Sequence, residues 1–149
     1  MTAEWVDYFL SICDAVAKKS KDKSHKIGCV IVGVNHNILS TGFNGLPRRV
    51  LESDIRTERP IKYFFTEHAE RNAIYNAARH GVALENSVLF VKGLPPCSDC
   101  ARAIIQSGIR QVYVYFSKMN NSPKWEAEFI HSKIMFEEAR VCCKIIYGE

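Results

Sequence analysis

The spacing of apolar residues at the start of the chain predicts one helix followed by one buried strand. Over residues 4–20 apolar side chains recur every three or four positions, which is the period of an amphipathic helix. The residues that carry this period are Trp5, Phe9, Ile12, Cys13 and Val16. The next apolar run, Ile27–Val34, is continuous, which predicts a strand buried on both faces of a sheet.

A hairpin is predicted to follow that strand. Asn35–Asn37 is a polar turn that leads into a second strand, Ile38–Phe43, and the turn residues of Asn44–Pro47 end it. Residues 46–65 show no regular period and are predicted to form a polar, irregular loop. A loop of that length within a compact domain is usually functional or mobile.

The rest of the chain alternates between helical and strand patterns. A second helix is predicted from about Thr66 to His80, where Gly81 follows as a helix-ending residue. A third helix begins after Pro95-Pro96 and ends near Gly108. The remaining elements are a helix marked by Trp125, Phe129 and Phe136, and strands at Ser87–Val91, Gln111–Phe116 and Cys142–Tyr147.

This order of elements, αββαβαβαβ, predicts the α/β class, with a mixed five-stranded sheet covered by helices in three α/β/α layers. Strands three to five are predicted to be parallel, because a helix separates each from the next as in a right-handed crossover. No repeat or linker-like change of composition divides the sequence, so residues 1–149 are predicted to be a single domain. Ligand sites in such folds lie at the carboxyl ends of strands.

Composition narrows the functional classes. Hydrophobic residues make up 47% of the chain and charged residues 24%, as in ordinary globular proteins. The longest apolar run, Ile27–Val34, is too short to span a bilayer, and Glu4 and Asp7 interrupt the place of a signal peptide. We therefore expect no membrane association and a cytoplasmic protein. The net charge of +4 suits small anionic substrates as well as nucleic acid.

The six cysteines are predicted to be thiols or metal ligands, since disulfides are rare in a reducing compartment. Cys13 and Cys29 lie on apolar faces and are predicted to be core residues. Cys142 and Cys143 point to opposite faces of a predicted strand, and no role is assigned to them.

Two motifs carry candidate chemistry: His68-Ala69-Glu70 and Pro96-Cys97-Ser98-Asp99-Cys100. Imidazole and thiolate are preferred zinc ligands, and a catalytic zinc site has three of them with a fourth position open to water. Cysteines three positions apart on one helical turn can reach one ion. The helix amino terminus favours their thiolate forms. An H-x-E motif joined to P-C-x-x-C is the signature of zinc nucleobase deaminases.

Two other interpretations of these motifs exist. A structural zinc site would need a fourth ligand, and His80 is the closest candidate in the sequence. A redox C-x-x-C pair would need a thioredoxin-like context, which the chain lacks. The open coordination shell favours a catalytic site over both.

The motifs and their surroundings resemble the cytidine deaminase superfamily and, within it, the deoxycytidylate (dCMP) deaminases. The likeness spans roughly residues 5–147. It is carried by Ser20-Lys21-Asp22 with Ile27–Val32, by Gly42–Pro47, by His68–Ile74, and by Pro96–Ala101 continuing to Ile104–Ile109.

The resemblance implies the cytidine-deaminase-like fold and a reaction in which dCMP is hydrolysed to dUMP. His68, Cys97 and Cys100 would be the ligands of one catalytic Zn²⁺, which activates a water for attack on C4 of cytosine. Glu70 would carry a proton from that water to the ring nitrogen and then to the leaving amine. Family members are commonly hexamers, which implies a homo-oligomer.

The resemblance also offers substrate-binding residues, each with a plainer alternative. Asn44 would hold the sugar hydroxyl, although on sequence alone an Asn-Gly turn residue with positive φ is favoured. Ser24 and Lys26 are candidates for binding the 5′-phosphate, and a solvated lysine is an equal alternative for Lys26.

An effector site for a nucleotide triphosphate, with Mg²⁺, is a further implication of the family. Asn72, Arg79, Arg48 and Arg49 are the candidate residues, and Arg79 is equally a cation near a helix carboxyl end. Many family members have glycine at the position of Arg49, so regulation of this kind is the weakest implication.

The alternative function is a nucleic-acid editor that resembles tRNA adenosine deaminases. Such an enzyme holds a flipped base and its flanking phosphates, and so needs a basic rim around the site. Glu67 and Asp99 lie beside the motifs here, so nucleic acid is not the expected partner. A non-catalytic zinc module is also disfavoured, because Glu70 would have no purpose in one.

Overall fold

The computed structural model describes residues 1–117 and 123–148, and a five-stranded sheet lies at its centre. The strands are β1 (Gly28–Val32), β2 (Ile38–Phe43), β3 (Val88–Gly93), β4 (Gln111–Ser117) and β5 (Cys142–Gly148). Their order in the sheet is β2-β1-β3-β4-β5. β1 is antiparallel to both of its neighbours, whereas β3, β4 and β5 are parallel. The predicted mixed sheet is therefore confirmed, including its parallel half.

Four long helices and two single-turn helices accompany the sheet within the described ranges. The long helices are α1 (Ala3–Ala17), α4 (Ala69–Arg79), α5 (Ser98–Gln106) and α6 (Pro123–Glu138). The single turns are α2 (Asp54–Thr57) and α3 (Lys62–Phe65). Both single turns fall in the segment predicted to be irregular, a prediction that was wrong because one turn is too short to produce a visible period. No helix of the described part is long and apolar enough to cross a membrane.

Two hydrophobic cores confirm the three-layer arrangement. On one face of the sheet, Phe9 and Cys13 of α1 pack against Phe90 and neighbouring strand residues. The rings of Phe9 and Phe90 have centroids 5.0 Å apart. On the other face, α4, α5 and α6 cover a second cluster that includes Cys29. Cys13 and Cys29 are both fully buried, as predicted for core residues.

β1 and α4 are both shorter than the sequence pattern predicts. Backbone groups next to their ends form hydrogen bonds outside the element. β1 begins at Gly28 because the N–H of Ile27 donates to the side chain of Asn44 at 2.9 Å. It ends at Val32 because the N–H of Gly33 closes the hairpin turn onto Asn37 O at 2.8 Å.

Helix α4 starts at Ala69 rather than at Thr66. Glu67 forms an isolated antiparallel bridge with Gly45, with N–H···O distances of 3.1 and 2.8 Å, and this pairing keeps the preceding residues extended. The bridge fastens the chain just before α4 to the turn that follows β2.

The register of the sheet gathers several chain segments at one edge. Gly28, the first residue of β1, lies opposite Phe43 at the end of β2 and opposite Lys92 near the end of β3. The chain therefore enters β1 and leaves β2 and β3 at the same edge, where α4 and α5 also begin.

Helix α4 lies unusually close to β2, and Gly42 allows this approach. A β-carbon at Gly42 would overlap the backbone of Ala69 and Ala73. Side chains tie the two elements as well: Ser40 Oγ donates to Ala73 O at 2.7 Å, and Asn76 Nδ2 donates to Thr41 O at 2.7 Å. The amino-terminal turns of α4 are thus held against the backbone of β2.

Replacing Gly42 with Ala is expected to destabilise the protein by about 3 kcal/mol, because the methyl group meets backbone that no rotamer change can move. Urea unfolding followed by circular dichroism measures this loss. Gly45→Ala is the matched control, since a β-carbon there meets only Phe43, at 3.8 Å, and it should change stability by no more than about 0.5 kcal/mol. Equal stability of the two variants would contradict the close-approach argument.

Candidate active site

A cleft of about 750 Å³, counted with its open mouth, lies at the edge of the sheet where these segments meet. This size is within the range of small-molecule sites. His68, Glu70 and Cys97 lie at its polar end, and Asn44 and Trp125 belong to its walls. The site is thus at the carboxyl ends of β2 and β3, where the order of elements predicts a ligand.

The starts of α4 and α5 bring three potential metal ligands close together. His68 precedes α4 in extended conformation, with φ −79° and ψ 153°, and Cys97 precedes α5 in a similar conformation. Cys100 lies in the first turn of α5. His68 Nδ1 is 3.5 Å from the Sγ atom of each cysteine, and the three donor atoms lie within 4.8 Å of one another.

This donor set fits zinc. Tetrahedral Zn²⁺ with Zn–S of about 2.3 Å and Zn–N of about 2.05 Å separates nitrogen from sulfur by about 3.5 Å, close to the separation found here. Across residues 1–117 and 123–148, no other His, Cys, Asp or Glu joins this cluster. His80, the alternative fourth ligand, lies at the opposite end of α4. The arrangement leaves one coordination position for a non-protein ligand, as catalytic zinc sites do.

The two thiols have very different proton affinities. A hydrogen bond from Cys100 is the main cause that lowers the pKa of Cys97 to about 4, and His68 assists. The pKa of Cys100 is raised because it is the donor of that bond and because it is buried. The hydrogen bond to Cys97 also raises the pKa of His68. One thiolate is therefore present near neutral pH before any cation binds.

Glu70 is a buried carboxyl beside this cluster. It lies in the first turn of α4, is only 5% exposed and lines the cleft. Burial raises its pKa above the usual range for glutamate, and the nearby His68 opposes this effect in part. A carboxyl of raised pKa holds a proton more readily than an ordinary glutamate, as a general acid and base requires. His68 and Glu70 share one cleft because His68 lies before the helix, not in it.

Arg71 is a neighbour of the cluster that the sequence analysis missed. Its Nε donates to Glu67 Oε1 at 2.6 Å, and its Nη1 lies 3.3 Å from Asp99 Oδ2. Burial is the largest influence on its pKa and lowers it, but Cys100 and Glu67 outweigh burial and the net pKa is raised. The guanidinium thus links α4 to α5 and places a positive charge near the thiols. Only the fold reveals this link, because Arg71 and Asp99 lie far apart in the sequence.

Asn44 is a wall of the cleft with most of its amide already engaged. Its Oδ1 accepts from Ile27 N at 2.9 Å, and its Nδ2 donates to His25 O at 2.8 Å. Its own carbonyl accepts a hydrogen bond from Ser20 Oγ at 2.8 Å. Positive φ is not the reason for asparagine here, since Asn44 is not among the residues that adopt it. The amide therefore fixes the loop before β1.

The two residues predicted to bind phosphate lie outside the cleft. Ser24 and Lys26 are exposed and do not line it, because the loop turns His25 inward between them. Three residues with nitrogen donors line the cleft instead: His25, Arg59 and Lys62. Arg59 and Lys62 belong to the 46–65 segment, where sequence patterns gave no reason to select them.

The candidate effector residues do not form a common pocket. Asn72 Nδ2 donates to Phe43 O at 2.8 Å, and Arg48 Nη2 donates to Asn76 Oδ1 at 2.6 Å, so both brace β2 against α4. Arg79 is exposed at the end of α4. Arg49 has φ 69°, so the chain here adopts the left-handed conformation that glycine favours, with an exposed arginine side chain.

Comparison with known proteins agrees with this geometry. The family described as the cytidine and deoxycytidylate deaminase zinc-binding region matches residues 3–116. An uncharacterized deaminase of Aliivibrio fischeri is 39% identical over 141 residues, covering 95% of this chain and 92% of that protein. The deoxycytidylate deaminase of Mus musculus is 32% identical over 148 residues, covering 93% of this chain and 77% of that protein.

A solved structure shows the same fold. The apo dCMP deaminase of cyanophage S-TIM5 superposes with a TM-score of 0.77 at 24% identity, covering 98% of this chain and all of that one. The family match extends over most of the chain and includes the histidine, glutamate and cysteine motifs that meet at the cleft. The chain belongs to the cytidine and deoxycytidylate deaminase family.

Proposed function

We propose that this protein catalyses the zinc-dependent hydrolytic deamination of dCMP to dUMP. The observation that carries the proposal is the meeting of His68, Cys97 and Cys100 within 4.8 Å of one another, beside the buried carboxyl of Glu70. His68, Glu70 and Cys97 line a cleft that Arg59 and Lys62 also line, and positively charged side chains suit a nucleotide. We assign one catalytic Zn²⁺ to the three side chains.

The reaction needs a nucleophile at C4 of cytosine and two proton transfers. Zn²⁺ bound at these side chains would lower the pKa of water towards neutrality. Glu70 accepts a proton from the attacking water and delivers it to the ring nitrogen N3. Glu70 then carries the second proton to the exocyclic amine, which leaves as ammonia when the C4–N bond breaks. The products are the uracil nucleotide and ammonia, so the atoms of water and substrate are all accounted for.

We place the 5′-phosphate near His25 and Arg59 rather than near Ser24 and Lys26. His25 and Arg59 line the cleft, whereas the other two residues face away from it. Lys62 adds little net charge because Asp22 pairs with it at 3.1 Å. Asn44 uses one of its two amide N–H bonds on His25 O, so the second remains for a sugar hydroxyl.

The alternative of a tRNA-editing enzyme finds little support in the charges beside the metal site. Glu67 and Asp99 surround Arg71 and offset its charge. Glu128 accepts a hydrogen bond from Ser98 Oγ at 2.8 Å, at the start of α5. None of these carboxylates lines the cleft, and around its metal site they would repel the flanking phosphates of an RNA.

Three further proposals follow from the family and the surface. The thiols, none of them paired in a disulfide, fit a cytoplasmic enzyme. Exposed apolar side chains such as Leu51, Ile55 and Phe64 fit a homo-oligomer, for which we propose the hexamer of the family. Regulation by a nucleotide triphosphate with Mg²⁺ finds its best support in Arg48, which lines a shallow groove with Asn76 and His80.

Deamination of a substrate panel tests the assignment. The zinc-loaded enzyme should turn over dCMP in preference to CMP, cytidine, dCTP and a tRNA adenosine substrate, as followed by ultraviolet absorbance. Arg59→Gln should raise KM for dCMP by about tenfold, the worth of one charge-assisted hydrogen bond. Turnover of another substrate with dCMP untouched would refute the assignment, and so would salt-sensitive submicromolar tRNA binding.

Replacement of Glu70 by Gln is expected to lower kcat by about 10²- to 10⁴-fold, since the amide cannot shuttle a proton. The zinc content, measured by elemental analysis, should match that of the wild type because Glu70 is not a ligand. Loss of zinc together with activity would show that the assigned roles of Glu70 and the ligands are wrong.

Replacement of Arg71 by Met is expected to weaken zinc binding by about 10- to 100-fold, as loss of groups around a metal site commonly does. Competition with a chromogenic chelator measures the affinity. Arg102→Met is the matched control, because Arg102 pairs with the same Asp99 but is exposed and distant from the thiols. If both variants bound zinc like the wild type, Arg71 would have no influence on the site.

A further inference from the structure

Three consecutive residues before β1 each form an ion pair with the 46–65 segment. Lys21 Nζ lies 2.9 Å from Glu52 Oε1, and Lys23 Nζ lies 3.7 Å from Glu58 Oε1. Between them, Asp22 Oδ2 lies 3.1 Å from Lys62 Nζ. The charges alternate along residues 21–23, and each of the three meets an opposite charge on the segment.

The segment has little else to hold it. Within α2 and α3, Lys62 is the one residue that is buried. Leu51, Ile55 and Phe64 are 76%, 70% and 83% exposed, so within one subunit these three side chains do not anchor the segment in a core. The ion pairs therefore contribute to its attachment to the rest of the subunit.

The central pair differs in kind from the two outer pairs. The side chains of Lys62 and Asp22 are 10% and 9% exposed, whereas those of the outer pairs are more than half exposed. Asp22 Oδ1 also accepts from the backbone N–H groups of Ser24 and His25, at 2.8 and 2.9 Å. The central pair thus ties the segment to the loop that presents His25, and the outer pairs flank it.

The segment also supplies one side of the cleft. Arg59, Lys62 and Tyr63 line it, and Arg59 lies between the pairing residues Glu58 and Lys62 in the sequence. Across the mouth, Lys124 Nζ of α6 lies 5.1 Å from the centre of the Tyr63 ring. The position of Arg59 therefore depends on where the segment is held.

We propose that Lys21, Asp22 and Lys23 form an ion-pair clasp that holds residues 52–62 against the cleft and so sets the affinity for the phosphate of the substrate. The clasp residues are positioning residues, since they act through Arg59 and His25. This inference rests on the proposed function, because it takes the substrate to be a nucleotide. His68, Glu70, Cys97 and Cys100 lie at the starts of α4 and α5, outside the clasp, so opening it should raise KM and spare kcat.

The zinc-loaded full-length enzyme allows the test, and the outer pairs are the safest place to break the clasp because they are exposed. Glu52→Gln with Glu58→Gln removes both outer pairs without burying a charge. The charge swap Lys21→Glu with Glu52→Lys restores one pair in reverse. Lys133→Gln with Glu137→Gln removes an exposed pair on α6 and is the matched control.

In the double Gln variant we expect KM for dCMP to rise by about threefold to tenfold. This estimate follows from the free energy that two exposed ion pairs contribute and from their coupling to the central pair. The kcat value should stay within about twofold of the wild type. The charge swap should return KM to near the wild-type value, whereas a single Lys21→Glu change should not. The α6 control should match the wild type in both constants.

Limited trypsin digestion without substrate reports on the clasp independently of catalysis. Cleavage after Arg56 should be faster in the double Gln variant than in the wild type. It should also speed up in the wild type as salt rises from about 0.01 M to about 1 M, where the Debye length falls from about 30 Å to about 3 Å. The variant should show a weaker dependence on salt.

The outcomes separate the clasp from the proposed function. Wild-type KM and cleavage rates in the double Gln variant, or a fall in kcat at constant KM, would overturn the clasp. Failure of the wild-type enzyme to deaminate dCMP would overturn the proposed function, and trypsin cleavage alone would then decide whether the clasp exists.

Discussion

The site depends first on how closely α4 approaches β2. The backbones of α4 and β2 are in contact at Gly42, and this contact sets the distance and direction of the helix relative to the sheet. The hydrogen bonds from Ser40 and Asn76 fix the rotation of the helix about its axis. The helix start then projects His68 and Glu70 over the edge of the sheet, where α5 presents its cysteines. A displacement of α4 would disturb the cluster of His68 with the two cysteines, the buried carboxyl of Glu70 and the pairing of Arg71 with Asp99 together. The packing of the fold and the geometry of the site therefore depend on the same contact between α4 and β2.

The electrostatics of the site follow from that placement. Two thiols, an imidazole and a carboxyl are crowded into a buried corner, where burial and Cys97 raise the pKa of Glu70 and His68 lowers it. Arg71 supplies a positive charge from the same helix, and Glu67 and Asp99 orient it. A metal ion held by this donor set would supply the remaining positive charge. A carboxyl held near such a centre, away from bulk water, has a proton affinity suited to repeated transfer.

The sequence predicts the sheet and the reactive corner well, because both depend on short-range patterns. The apolar run of β1, the hairpin and the alternation of the later elements determine the layers. His68, Glu70, Cys97 and Cys100 lie at helix starts whose signals are local. Their meeting in space is seen only in the fold, although the signature predicts it.

The cleft walls could not be predicted in the same way. Arg59 lies between two single-turn helices and Lys62 begins the second, and such short helices leave no period in the sequence. Lys62 is held by its ion pair with Asp22, a contact that depends on the fold. The family resemblance points to Ser24 and Lys26, and no local pattern in the sequence indicates His25. The backbone bonds of Asp22 and Asn44 instead turn His25 inward. Which residue of a loop faces a cavity is a tertiary property.

The three hydrogen bonds of Asn44 bear on how this enzyme can change over evolution. One residue fastens the turn after β2 to the loop before β1 and also lines the cleft. Selection for a different sugar cannot act on Asn44 without loosening the frame that holds His25. Changes in substrate preference are therefore expected at residues that line the cleft without making such hydrogen bonds. Arg59 and Trp125 are two of them. Substitutions at Arg59 and Trp125 could therefore alter substrate preference while Asn44 continues to hold the loop before β1.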